Sequence, residues 1–407
     1  EAKLGRSSAD EVWQVCLDDL KYCIENSDFQ DNTLQKNYGR PSKGAAHALR
    51  AMIFMWKGEY SLAITDFEKV GSCGYALWDG EYIDFFKYEN EKHKEMIFPI
   101  QYDEATGYSD NIQLMVGARD HYDSWTELMP SADFVDYYLN ADGSKFNWSQ
   151  HLPGWNSLTA AQREVFFLRD NLSSNTNAYN DAKSRVGAAV MSQYYLETGN
   201  ENRIKAAYAS RDPRLQQTVI TPYATANCYS PYYNSANPMI SKVLRWPYLN
   251  RGADGGDMWH DKRNAGYYIY RKYNETEKGR YIERTRCHAD FPLIRFTDVI
   301  LQYAEALNEE GRLDEAISIV NQIRDRAGMP QLVNGGSGHN SVLGKDDMRE
   351  KIRYERRVEL CLEGVNYFDE IRWGTYKDTK FQGNTSGLKA WWGNIITSKW
   401  YWKEYAS

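Results

Sequence analysis

Two glycine turns constrain this fold more than any other feature of the sequence. Gly44 to Lys57 has an apolar side at Ala45, Ala46, Leu49, Ile53 and Phe54, and after Gly58-Glu59-Tyr60 the helical pattern resumes from Ser61 to Val70. Phe291 to Glu309 and Leu313 to Arg326 repeat the arrangement around Gly311. Aligning the two glycines superposes Tyr60 on Leu313, Ala63 on Ala316, Ile64 on Ile317, Phe67 on Val320 and Val70 on Ile323; upstream, Ala51 meets Ala304 and Phe54 meets Leu307. Small residues on both sides of a glycine turn let two helices approach closely, which is the tetratricopeptide (TPR) logic. Because the glycines stand 253 positions apart, the repeat is a solenoid interrupted by a long insertion.

The remaining segments fit a mainly α chain. Residues 1–74 read as N-terminal TPR-like hairpins, opened by a helix that Ser8 or Asp10 caps and whose apolar face is Val12, Val15, Leu17, Leu20 and Ile24. Residues 75–290 form a loop-rich ligand-binding insertion. It is marked by Pro153-Gly154, Pro231, Asn237-Pro238, Trp246-Pro247, Gly252 and Gly255-Gly256. Short helices are expected at Ser131 to Leu139, Thr159 to Leu168 and Asn200 to Ala209, with strands at Met96 to Tyr102 and Gly266 to Tyr273. Residues 291–374 return to TPR-like helices, ending in an Arg/Glu-rich helix that Asp346 or Asp347 caps and that runs through Glu363. Residues 375–407 read as irregular.

Composition narrows the function classes. The 407 residues carry 49 Lys and Arg against 56 Asp and Glu, a net charge of −7, which gives no general pull toward nucleic acid. The longest apolar run, about Ala51 to Trp56, is far short of the roughly 20 residues of a spanning helix. The six cysteines form no CxxC pair, and Cys16, Cys23 and Cys361 read as small buried apolar side chains. The chain begins at Glu1 without an initiator Met or a signal core, the reading being a removed leader or a fragment.

The catalytic inventory is bare. Glu355, Glu359 and Glu363 lie on one helical face, as a glycosidase pair would, but Arg353, Arg356 and Arg357 are interleaved. Guanidinium groups hold carboxylates ionised, whereas a general acid must keep its proton, so this row reads as an Arg-Glu network fixing helices. Arg211-Asp212-Pro213-Arg214 can clamp an anion or brace a turn; bracing is the expectation. Asp254-Gly255-Gly256-Asp257 with Asp261 resembles a loose calcium loop but lacks the EF-hand alternation, so it reads as a solvated loop. The seven His residues contain no HxH or HxxxH pair, and GxSxG, GxxxxGK[ST] and GxGxxG are absent. No enzyme activity, metal or cofactor is expected.

The outlier is aromatic content, with 13 Trp, 31 Tyr and 14 Phe. Tyr229, Tyr232, Tyr233, Trp246, Tyr248 and Trp259 cluster among Asn234, Asn237, Asn250, Arg251, Asp257 and His260. Flat rings match the C–H faces of a sugar, and amide, guanidinium and carboxylate groups match its hydroxyls. The cluster is therefore expected to bind ligand, with Trp246 and Trp259 as exposed stacking platforms; the competing reading is rings that plug a loop-rich core. Trp148 and Trp155 form a second candidate group, and Trp391, Trp392, Trp400 and Trp402 a third.

Further blocks run through Arg40-Pro41-Ser42-Lys43-Gly44-Ala45-Ala46, Glu95-Met96-Ile97-Phe98, Arg211-Asp212-Pro213-Arg214-Leu215, Leu293-Ile294-Arg295-Phe296 with Tyr303-Ala304-Glu305-Ala306, and Asn321 to Gly328. The most telling runs from Ile352 to Leu360, continued by Glu363-Gly364 and Tyr367 to Gly374. In this order and spacing the blocks resemble the SusD/RagB family of outer-membrane nutrient-binding lipoproteins. The resemblance implies a TPR-like scaffold with a loop-rich opposite face, lipid-anchored on the extracellular side of the outer membrane. It also implies a SusC-like TonB-dependent transporter as partner, oligosaccharide ligands (peptides in the RagB branch) and no catalysis. The family's lipidated N-terminal Cys and first helices have no counterpart before Glu1, and its proline-containing closing motif is absent, so part of the ligand site is expected to be missing. A glycosidase and a TPR adaptor binding proteins through its helices are the other readings; aromatic loops favour glycan capture over both.

Overall fold

A computed structural model describes residues 5–103, 105–229, 239–250, 252, 254–259, 266–274 and 284–380, together with two short strands at 388–389 and 395–396. The chain divides into two units, Glu1–Tyr102 with Ala289–Asn366, and Asp103–His288 with Tyr367–Ser407. Residues 75–102, read from the sequence as the start of the insertion, group with the first unit.

The first unit is built on the repeated hairpins. Helices Lys43–Lys57 and Tyr60–Ser72 form one, Phe296–Glu309 and Leu313–Ala327 the other. Gly58 and Gly311 adopt left-handed φ of 72° and 77°, as a helix needs at such a close turn. In each copy the next N–H reaches back to the same helix position, Glu59 to the Phe54 carbonyl at 2.9 Å and Arg312 to the Leu307 carbonyl at 2.8 Å. The paired Ala51 and Ala304, and Ala63 and Ala316, are all fully buried, within one hydrophobic cluster that takes in both hairpins. Tyr303 packs on Phe67 and donates to Glu68, tying one copy to the other. The strand Met96–Ile100 pairs antiparallel with Phe291–Arg295.

The Arg/Glu-rich helix, Lys345–Glu359, starts directly after Gly344 and ends four residues before the expected Glu363. The carboxylates of the predicted row are buried and paired: Glu355 with Arg324, Glu359 with Arg295 and Arg326, and Glu363, beyond the helix end, with Arg295. Glu95 joins them through Arg295 and Arg326. Burial pushes the Glu95 carboxyl up, but Arg326 and Arg295, with donors from Thr297 and the Trp78 N–H, outweigh burial and hold it below the usual range. This network of buried ion pairs locks the helices together.

The second unit uses short elements around small cores. Helix Asn200–Ala209 is as the sequence predicts, Ser131–Leu139 shortens to Ala132–Tyr137, and the Thr159–Leu168 expectation becomes a 3₁₀ stretch, Gln162–Phe167. Thr225–Tyr229 pairs antiparallel with Met239–Val243, and of the expected strand Gly266–Tyr273 only Ile269–Tyr270 forms, against Val219–Ile220. Arg211 and Arg214 do brace: Arg211 donates to the Val135 and Tyr138 carbonyls, and Arg214 clasps Asp212. Cys16, Cys23 and Cys361 are half-buried rather than buried, while Cys73, Cys228 and Cys287 are buried, and all six are free thiols. Among the described residues no helix is long and apolar enough to cross a membrane.

Candidate functional site

The indoles expected to project from the insertion are mostly inside it. Trp246 is 3% exposed, lies 4.3 Å from the Tyr267 ring and points its Nε1 at Glu164. Trp148 and Trp155 stack at 4.7 Å, both buried, with Phe167 and Tyr208 against Trp148. The expectation of an exposed stacking face at Trp246 is thus corrected, and the second candidate group, Trp148 and Trp155, lies in the core. A unit of short elements has few long helices to build a core from, so the rings fill it.

Asp257 explains the loop that carries Asn250 and Tyr248. It is 1% exposed and accepts from the Leu249 and Asn250 N–H groups, from Arg169 at 2.7 Å and from Arg245 at 3.1 Å. Burial raises its carboxyl, but those backbone donors and Arg169 outweigh burial and hold it below the usual range. Asp257 is therefore a structural pin and the loop is not simply solvated. Among the described residues no group of three His, Cys, Asp or Glu side chains could hold a metal. Asn250 is exposed and Tyr248 half-buried. Tyr232, Tyr233, Asn234, Asn237, Arg251, His260, Asp261 and the Trp391, Trp392, Trp400 and Trp402 group lie outside the described residues.

Trp259 and Tyr229 lead to a loop that the sequence reading passed over. Asp120 accepts the Trp259 N–H at 2.7 Å and returns its own N–H to the Trp259 carbonyl. Tyr122 donates its N–H to the Tyr229 carbonyl at 2.8 Å, and the two rings lie 4.8 Å apart. Both partners belong to residues 117–126, where Tyr122, Asp123 and Thr126 all have left-handed φ, 53°, 56° and 52°. Three non-glycine residues in that region within five positions is stored backbone strain, the kind found at ligand sites.

Buried polar groups hold the strained loop in place. Asp120, His121, Ser124 and Thr126 are fully buried, and Thr126 donates through both N–H and Oγ1 to the Gly117 carbonyl. Gly117 has to be glycine, since a Cβ there would sit 2.4 Å from Gln113 and 2.8 Å from Ser124. His121 accepts the Ala118 N–H at Nδ1 and faces Cys228 Sγ from Nε2 at 3.4 Å. Burial, with the charge of Arg271, pushes this imidazole down to about 3, so it stays neutral.

What the loop offers to solvent is an aromatic and charged surface. Trp125 is 39% exposed, and the Arg284 guanidinium lies 5.4 Å from its ring. Arg284 reaches the loop because the Leu114 N–H bonds to its carbonyl at 3.1 Å, setting the two segments side by side. Arg284 and Arg119 converge on Asp123, Arg119 at 2.9 Å. An indole face beside fixed donors and acceptors is the arrangement that grips a sugar ring and its hydroxyls. Trp125, Asp123, Arg119 and Arg284 were missed because none stands in the Pro- and Gly-rich stretch of the sequence; the only local signal was Trp125 near Gly117.

Comparison with known proteins follows the same line. The model of the SusD family matches residues 94–405. SusD-like protein P25 of Formosa agariphila is 25% identical over 379 residues, 92% of this chain and 57% of that protein. SusD-like protein P38 of the same organism is 39% identical over 111 residues, 27% of this chain and 21% of that protein. Among solved structures, a SusD-like protein from Bacteroides fragilis superposes with TM-score 0.63 at 22% identity, covering 93% of this chain and 63% of the other. A SusD-like carbohydrate-binding protein from the same species gives 0.61 at 20% identity, covering 91% and 60%. The chain thus spans about three fifths of the length of these structures and of P25. These similarities show a helical, TPR-like fold.

Proposed function

This chain belongs to the SusD family, and on that premise we propose that it captures oligosaccharides at the cell surface, the 117–126 loop being part of its ligand site. The observation that carries the reading is Trp125, an exposed indole beside Arg284 and Asp123 on a rigid, strained loop. Rigid placement matters because a sugar gives weak individual contacts, and a site that is already ordered loses little entropy on binding. Trp259 and Tyr229, bonded to this loop through their backbones, Tyr248 and Asn250 are further candidate contacts. Support from comparison is that SusD-like structural neighbours include a carbohydrate-binding protein and a laminarin-binding protein.

In this reading the protein hands its ligand to a SusC-like TonB-dependent transporter from the extracellular face of the outer membrane, held there by a lipid anchor, and carries out no chemistry on it. The paired carboxylates of the Glu355, Glu359 and Glu363 row support the last point. A glycan-array screen tests the capture step: retention of an oligosaccharide that Trp125→Ala abolishes supports it, and retention of peptides alone would overturn it. Pull-down from outer membranes tests the hand-over, with recovery of a large β-barrel protein as the expected result.

A further inference from the structure

Resting on that ligand-site reading, we propose that Arg284 receives the acidic group of an anionic glycan, a uronate carboxylate or a sulfate ester, on its Nε/Nη2 edge beside Trp125. Arg284 commits a single nitrogen to the protein. Its Nη1 donates to the Asp123 carbonyl at 3.0 Å and to Asp123 Oδ2. Among the described residues its Nε and Nη2 have no hydrogen-bond partner, and the side chain is 28% exposed. Those two N–H groups point the same way from one plane and match two oxygens of a carboxylate or sulfate side by side. A neutral hydroxyl needs only one such donor.

Arg119 pairs with the same carboxylate, Asp123, which places a second guanidinium beside the fork. The neighbouring buried acid, Asp120, is engaged by the Trp259 N–H. Arg271 has no carboxylate partner among the described residues, and its Nε is buried without a hydrogen bond. The Arg271 charge reaches His121, a buried residue of the loop, where it adds to burial in keeping the imidazole neutral. The fork is also held in register: Asp123 is fixed by its own left-handed backbone, and the Trp125 N–H is bonded to the Leu114 carbonyl. An acidic sugar would place its ring on the indole and its anion on the guanidinium edge.

Affinity electrophoresis and calorimetry on the whole chain test this with polygalacturonate, the same polymer after carboxyl reduction, dextran sulfate and neutral dextran. The expected result is binding to polygalacturonate or dextran sulfate that exceeds binding to both neutral polymers by roughly 10-fold or more. Which acidic polymer binds decides between carboxylate and sulfate. Arg284→Gln should weaken that binding by roughly 10- to 100-fold, and Arg284→Lys, which keeps the charge and loses the fork, should do nearly the same. Arg6→Gln, an equal loss of charge at an exposed residue of the other unit, should leave it unchanged. Equal binding to native and carboxyl-reduced polymer, with no preference for sulfate, overturns the proposal while leaving glycan capture standing. That comparison uses the unaltered protein, so it decides the matter even if an Arg284 variant folds poorly. Binding of no glycan on a broad array overturns both.

Discussion

Arg324 donates through Nη1 to Glu355 Oε1 at 2.7 Å with neither side chain more than 2% exposed. Its other nitrogens are also used, Nε on the Pro330 carbonyl and Nη2 on Asn340. Glu355→Ala would leave that guanidinium buried without its counter-charge, and should cost about 3–5 kcal/mol of stability in urea unfolding. Replacing both partners together, Arg324→Met with Glu355→Leu, should recover much of the loss, because the buried charge disappears along with its partner. Release of reducing ends from a bound glycan that Glu355→Gln abolished would show instead that this carboxyl works on substrate.

The duplicated hairpin makes a matched prediction. A Cβ at Gly58 or Gly311 would meet nothing within 4 Å, yet both residues have left-handed φ. Substitution by Ala therefore costs only backbone conformation, about 1 kcal/mol at either position. Similar drops in melting temperature for Gly58→Ala and Gly311→Ala are the expected outcome; a much larger loss at one would show that the two turns are not equivalent.

Asp136 should contribute more to the stability of the second unit in acid than at neutral pH. Burial pushes its carboxyl up to about 7 although the Trp148 Nε1–H bonds to both its oxygens. A folded pKa above the unfolded value near 3.8 means that the stabilising contribution is complete below pH 4 and is lost as pH rises through 7. Asp136→Asn keeps an acceptor for the indole and carries no charge. It should raise stability by roughly 1–3 kcal/mol at pH 8 and by little at pH 4, read from unfolding curves at the two values.

His121 has the opposite sign. Its folded pKa of about 3 lies below the ordinary 6.5, so its contribution is present above pH 6.5 and fades as pH falls toward 3. Because His121 anchors the strained loop, ligand binding should weaken across the same interval. A binding isotherm series from pH 7 to pH 4 checks this, and a flat profile would show that the loop survives protonation.

The hairpins were legible because their signal is local and repeated: helix period, small residues and a glycine turn recur at aligned positions, and each lands in the core. The Arg-Glu row was legible too, since four-residue spacing fixes a helical face and interleaved arginines imply pairing. The site was less so. Trp246 stands next to Pro247 and near Gly252, punctuation that suggests an exposed loop, yet Arg169 and Tyr223 bond to its carbonyl and draw the indole inside. Residues that meet only through tertiary contacts left no pattern: Arg284 and Asp123 are 161 positions apart. Nothing in linear order marks Tyr122, Asp123 and Thr126 as strained, because none of them is a glycine.

Trp125 and Trp246 now make opposite predictions. Trp125 is 39% exposed and its ring faces Arg284, whereas Trp246 is 3% exposed and packs on Tyr267. Removing a ring that contacts a sugar loses apolar contact worth roughly 1–3 kcal/mol, a 10- to 100-fold fall in affinity, and an exposed ring contributes little to folding. Trp125→Ala should therefore weaken glycan binding with a melting temperature close to that of the unaltered protein. Trp246→Ala removes a core indole and leaves a cavity, so it should lose about 3–5 kcal/mol of stability. Its binding, measured below the transition, should stay nearer to normal because the 117–126 loop is pinned by its own buried groups. Titration and thermal unfolding of both variants separate the two roles. If Trp125→Ala bound normally while Trp246→Ala lost binding with its fold intact, the ligand would contact the Trp246 side of the insertion, and the 117–126 loop would be structural.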